Sequence, residues 1–381
     1  MRFFHYILLF LGFVGNAQTA LYNQGNLRIH EEGQLGFHTN LINDGIFDEN
    51  MGLAGFYGTT TPITISGALV PVLFDVEIVH DAGVQLNTSL SVANNTSFVV
   101  GDFRTPRPTP DIYYSFLQDA FYSGDSDFSK IEGYASAINQ QNFTFPVGDV
   151  AQLRPLVLNS NGTNILAKCA YFYEDPNSPS TFPGFNTSIK PRTILGISTS
   201  EFWRLEGSVP SRVTLNWNPR SNLAALTADV NTITIMGWSK TANQWVSLGR
   251  ESFAGDLTQG IVSSAVFIPD EYEVLTFGSA DEPEEFLTLD NYLISPNGDG
   301  INDVLIIPEL DQSPNNTLEI YDRMGLKVFE MINYRDEFTG ISNVDNFVLR
   351  REIGLPEGLY YYIISMDDLG LIFQGFLFLD R

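Results

Sequence analysis

Two aspartates four residues apart sit among turn formers in "SPNGDGIND", residues 295–303, and are the first groups to test for chemistry. Read as a calcium loop, Asn297, Asp299 and Asp303 are the candidate ligands, with Ser295 contributing a further oxygen and Gly300 easing the turn. Two positions argue against that reading. Ser295 stands where such a loop carries its first aspartate, and Ile306 stands where a bidentate glutamate belongs. Read as an acid–base pair, Asp299 and Asp303 lack a neighbouring histidine and any flank shaped for a substrate. The third reading is a corner between strands. Its Asn and Asp side chains accept hydrogen bonds from their own backbone, and its glycines supply positive φ. That reading is preferred here, and it calls for no cofactor, with calcium the one ion kept in view.

The remaining chemistry-bearing residues are sparse. "HEEGQ" at His30 has Gln34 where a zinc-binding HExxH helix needs its second histidine. His30 and His38 lack a third ligand. "DSDFSKIEG" spaces Asp125, Asp127 and Ser129 alternately but places Lys130 where a calcium loop turns on glycine. Cys169 is the only cysteine, and neither a GxSxG elbow nor a phosphate-cradling glycine loop occurs. The sequence therefore predicts a protein that is not an enzyme.

Such groups must be carried by strands. The 381 residues hold 29 Phe and 16 Tyr, and only 17% are charged, a composition suited to pleated, half-buried surfaces. A formal net charge of −25 makes nucleic acid a poor partner, because binding a phosphate backbone needs basic patches. The first residues, "MRFFHYILLFLGFVGNAQ", combine Arg2, an apolar run and small residues before a cleavage point between Ala17 and Gln18. They read as a secretory signal peptide over 1–17. No later stretch is long and apolar enough to insert directly into a membrane.

Short apolar runs between Gly, Asn, Asp and Thr clusters predict an all-β protein. Over 18–104 the runs are very short, which suits a small β-solenoid or an irregular sandwich. "TPRPTP" at 105–110 reads as a linker opening a mixed segment, 105–144, in which 116–121 and 129–138 are the candidate short helices. Over 145–280 longer alternating strands predict a β-sandwich. "RVTLNWN" places Val213, Leu215 and Trp217 on one face, and all four Trp (203, 217, 238, 245) fall in this region. One shared core is the expected home for those rings; an exposed platform for carbohydrate is the alternative. "SADEPEEF" reads as an acidic linker over 281–286, and 287–381 as a small immunoglobulin-type sandwich with a hairpin turning at Gly325.

Four segments of that last region, "SPNGDGIND", "PNNTLEIYDRMGLKVFE", "LPEGLYYYII" and "QGFLFLDR", follow one another in an order that resembles the gliding-motility-associated C-terminal domain of exported Bacteroidetes proteins. Two departures are visible. Phe338 stands where the family usually shows Trp, and Phe376 stands near a usual aromatic–Trp pairing. Both keep an aromatic ring. The resemblance implies a sorting tail for the type IX secretion system. It implies passage through the periplasm to the cell surface or beyond, and as partners the type IX translocon and an outer-membrane barrel protein.

The docking residues expected on that basis are Pro296, Asn297, Gly298, Asp299, Gly300, Asn302 and Asp303 of the corner, with Gly375, Phe376 and Phe378 of the final strand. A structural use competes for the last two, since Phe376 and Phe378 alternate like a core face. The function expected is an exported cell-surface protein tied to gliding motility or adhesion through a surface ligand or carbohydrate. The alternatives are an accessory subunit held on the translocon or gliding machinery, and a secreted hydrolase assembled from carboxylates on distant strands.

Overall fold

The computed structural model describes residues 19–191, 193–280, 291–307, 310, 313, 315–344, 354–367 and 371–381. The Ala17–Gln18 cleavage point and the 281–286 connector lie outside these residues. Among them no helix is long and apolar enough to cross a membrane. The chain is all-β, and its first half is a stack of parallel coils.

Each coil gives one strand to each of two sheets. The smaller, seven-stranded sheet takes β1 (Ala20–Asn23), β3 (Asn40–Asn43), β5 (Ile63–Ser66), β7 (Val84–Leu86), β9 (Phe103–Arg104), β12 (Ile131–Glu132) and β14 (Val147–Gly148). The larger begins with β2 (Gln34–Phe37), β4 (Leu53–Gly58), β6 (Val72–His80), β8 (Leu90–Val100), β10 (Tyr114–Phe116) and β13 (Tyr134–Phe145), while β11 (Phe121–Ser123) pairs beside β8. Every pairing within this stack is parallel. Of the two architectures expected for 18–104, the parallel register is that of a solenoid.

In-register stacking turns single apolar residues into columns. Ile63, Val84, Phe103, Ile131 and Val147 align in the smaller sheet, and Phe37, Phe56, Ile78 and Phe98 in the larger, all buried. Burying each such side chain is worth about 1.5–3 kcal/mol. Amides bridge the coils at their corners. Asn23 Nδ2 donates to Asn43 Oδ1 (2.8 Å), and Asn43 Nδ2 to the Leu69 carbonyl (2.9 Å).

The stack does not stop at residue 104. The expected linker contributes Thr105, whose buried hydroxyl accepts from the Tyr134 N–H, and Arg107, whose guanidinium lies 4.8 Å from the Phe172 ring centre. Here the prolines sit in two successive turns, closed by Thr109 N–H to the Pro106 carbonyl and Ile112 N–H to the Thr109 carbonyl, as the chain crosses from β9 to β10; they do not free it. The two candidate helices are corrected likewise. Residue 116 ends β10, and 129–138 holds β12 and the start of β13. Neighbouring strands on both sides supply the hydrogen bonds that a short helix would have to make alone.

Beyond β13 the larger sheet continues with antiparallel strands. They are β15 (Leu156–Phe172), β16 (Ile194–Ile197), β17 (Phe202–Glu206), β18 (Ser211–Trp217), β19 (Ile233–Ser239), β20 (Gln244–Ser247), β21 (Ser252–Gly255), β22 (Gly260–Ser263) and β23 (Tyr272–Ala280). Long β15 pairs with β17 near its end and with β18 near its start, so the sheet divides into two branches. Trp217 on one branch meets Phe277 on the other at 6.0 Å. Val213, Leu215 and Trp217 are buried as their alternation requires. The four tryptophans split between two cores instead of sharing one: Trp203 and Trp217 lie in the main core, while Trp238 and Trp245 pack with Phe185 in a second. The indole N–H groups of Trp203, Trp217 and Trp245 donate to backbone carbonyls, which marks these rings as structural.

A buried ion pair ties the stack to this region. Arg154 donates to Glu201 (2.7 Å), both 1% exposed, and Tyr171 donates to the other Glu201 oxygen. Cys169 is fully buried, and burial pushes its thiol well above the usual range.

The final region is a five-stranded sheet in the order β24 (Tyr292–Ile294), β28 (Leu371–Leu379), β27 (Gly358–Met366), β25 (Asn316–Asp322) and β26 (Lys327–Ile332). Its first strand pairs in parallel with its last; the other pairings are antiparallel. One face is covered by Leu305, Ile307, Leu310, Tyr334, Phe338 and Leu355, which lie outside strands, so among the described residues the cover is irregular chain and not a second sheet.

Candidate sorting surface

The corner after β24 is held by its own backbone. Asp303 accepts from the Gly298 N–H with one carboxylate oxygen and from the Gly300 N–H with the other, both at 2.7 Å. Asp299 accepts from the Ile301 N–H (2.8 Å), and Asn297 accepts from the Asp299 N–H (2.9 Å) while donating to the Asp299 carboxylate (3.0 Å). The Ser295 N–H donates to the Asn302 carbonyl to close the loop. Gly298, Gly300 and Asn302 sit at φ values of 83, 86 and 54°, the left-handed region. No atom lies near a Cβ built on either glycine, so it is backbone angle and not space that asks for glycine there. The backbone N–H groups of Gly298 and Gly300 hold the Asp303 carboxyl below the usual range.

This is the geometry of a self-capped corner. The carboxylates that would serve as calcium ligands or as an acid–base pair face the loop's own amides. No group of three or more His, Cys, Asp and Glu side chains converges among the described residues. The other sequence candidates are dispersed. His38 lies against Tyr57 at 5.6 Å, and Lys130 is buried against Asp102 at 3.1 Å.

The final strand corrects one expectation. Leu377 and Leu379 face the core, fully buried, whereas Phe376 and Phe378 point outward and are 41% and 40% exposed. Their alternation is real, but its parity is opposite to that of a core face. Gly375, just before them, shares the inward parity of Leu377 and Leu379. A Cβ there would come within 2.3 Å of the Tyr362 hydroxyl, so glycine at 375 leaves the room that the buried Tyr362 ring occupies.

Registration assembles an apolar outer face around these two rings. Phe376 pairs with Tyr361 and Phe378 with Leu359; Leu293 is beside Phe378, and Tyr321 beside Tyr361. A groove of about 530 Å³ opens on this face between Tyr321, Tyr361, Ile363, Gln374 and Phe376. Sequence reasoning placed Gly375, Phe376 and Phe378 on a docking strand and missed their partners on the neighbouring strands. The available signal was "GLYYYIISM", whose alternation sends Tyr360, Tyr362 and Ile364 inward and leaves Leu359, Tyr361 and Ile363 outside. Phe338, where the resembled family usually carries Trp, is buried against Phe329 at 4.9 Å and belongs to the core.

A coil-stack body is thus followed by a small terminal sheet with one apolar face exposed. Residues 287–379 match the CHU_C type IX secretion signal domain. The region is therefore the C-terminal sorting tail of a type IX cargo protein of the Bacteroidetes kind; it addresses the chain to the type IX secretion machinery, for export to the cell surface or the extracellular space. No curated protein and no solved structure matches the chain.

Proposed function

We propose that this chain is a non-enzymatic cargo that acts at the cell surface in adhesion or gliding, with the sheet of 291–381 docking on an outer-membrane barrel partner of the translocon. The tail match at 287–379 carries the reading. The outer face of the sheet supports the docking step, because Tyr361, Phe376 and Phe378 stay exposed on a sheet whose other face is covered. Exposed aromatic rings around a groove are the usual anchors of a protein interface. The 295–303 corner stands one strand away, rigid through its own hydrogen bonds, and serves as a shape marker. The self-bonded carboxylates of that corner support binding, not catalysis, as its task.

The test is export of the double variant Tyr361→Ser/Phe376→Ser in the native secretion system. Each lost aromatic anchor removes about tenfold in affinity, so the exported fraction falls while the periplasmic fraction rises. Normal export of a folded double variant would remove this face from the docking step. Co-purification of the wild-type chain with an outer-membrane barrel protein is the expected companion result.

A further inference from the structure

The two ends of the coil stack are finished differently. At the far end β13 is covered by antiparallel β15. At the near end β1 pairs only with β3 and β2 only with β4, so among the described residues nothing meets the outer edge of either strand. The inward leucines of this first coil, Leu21, Leu27 and Leu35, are only partly buried, whereas their stacked neighbours Leu41, Phe47 and Ala54 are at most 1% exposed. Ile29 and Phe37 of the same coil are buried, so the core is open at this end at the three leucines, flanked by two strand edges that no described residue meets.

Exposed edges are ordinarily blunted by charge, proline or a bulge. Neither "ALYN" in β1 nor "QLGF" in β2 carries a charge or a proline, and their pairing with β3 and β4 runs without a register shift. The nearby cation Arg28 is turned to Glu49 of the next coil.

We infer that this end is an assembly surface, and that its partner is a second copy of this chain joined through a twofold axis. The choice of partner follows from the shape of the surface. An added peptide strand would complete one sheet edge and leave the other edge and the leucines open. A second copy turned about a twofold axis offers an antiparallel strand to both edges at once, and sets its own Leu21, Leu27 and Leu35 against the first set. Chains of net charge −25 repel one another, so the joint is strengthened by salt. This inference stands independently of the export reading.

Sedimentation of the chain from Gln18 onward, over a hundredfold range of concentration, tests it. A reversible monomer–dimer equilibrium is expected, and Leu35→Lys weakens it at least about tenfold because it buries an unpaired charge in the joint. Hydrogen exchange of the wild-type chain guards against a variant that loosens the first coil: amides of β1 and β2 gain protection as concentration rises, while those of β6 and β8 stay constant. A monomer at every concentration overturns the inference. So does a dimer whose β1 and β2 amides do not respond to dilution, and so does a monomer in which they are always protected, which would put another segment of the same chain on this end.

Discussion

The outer face of the body's parallel sheet and the outer face of the tail's sheet are both pleated surfaces looking away from a core, yet they are finished in opposite ways. On the body, polar side chains bond to one another across coils, as Tyr57 donates to Glu77 and Asn94 to Asp75, and along a strand, as Asn95 donates to Ser97. On the tail, the equivalent positions carry Leu293, Leu359, Tyr361, Phe376 and Phe378, each 39–52% exposed. The body face is polar and largely paired, with Asn95 Oδ1 the exception that accepts no hydrogen bond. The tail face holds apolar surface that folding alone did not require, and this is the difference expected between a scaffold and a contact surface.

The comparison can be broken most severely from the body side. Glu201→Ala leaves the buried Arg154 guanidinium without its carboxylate, and is expected to cost about 3–5 kcal/mol, read as a fall in the body's denaturant midpoint. Hydrogen exchange in β27 and β28 stays at its wild-type level, because the lesion belongs to a different core. Next, Gly375→Val drives a side chain into Tyr362 and costs the tail about 1–3 kcal/mol, with β6 and β8 unaffected. Then the two faces are set against each other. Tyr361→Ser/Phe376→Ser changes tail stability by only about 0.5 kcal/mol per site while lowering export, whereas Tyr57→Ser on the body face leaves export unchanged. Equal export of all three proteins would mean that the contrast between the faces has no functional content.

The smallest effect is local to the corner. The Asp303 carboxyl is held below its usual value by the Gly298 and Gly300 N–H groups. Its contribution is therefore fully present above the ordinary aspartate pKa of 3.8 and is lost as pH falls through the depressed folded value. Exchange of those two amides is expected to speed up only at that acid extreme, and in Asp303→Asn to be faster at neutral pH as well.

Strand content and the self-capped corner were legible because each is written within a few adjacent residues, as in "RVTLNWN" and "SPNGDGIND". The coil stack was only half legible. Its in-register partners lie 20 residues apart at Ala20 and Asn40, 24 apart at Leu41 and Ile65, and 28 apart at Phe103 and Ile131, so no fixed period marks the repeat. Prolines at 106, 108 and 110 read as a break because composition reports backbone donors, and not the neighbouring coils against which Thr105 and Arg107 pack. For Phe376 and Phe378 the alternation was visible but its phase was not. Phase is set by which neighbour, Gly375 or Phe376, must make room for Tyr362, a contact made across strands.

One pairing in the tail has a consequence for synthesis. Strand β24 opens the sheet and β28 closes it, side by side, with Ile294 opposite Leu379. A ribosome that stalls after the hairpin of β25 and β26 but before β28 releases a chain with the corner and the hairpin but without the strand that joins β24 to β27. Such a chain cannot display the finished face. On the docking reading proposed above, a receptor for that face would accept only chains in which β28 is in place.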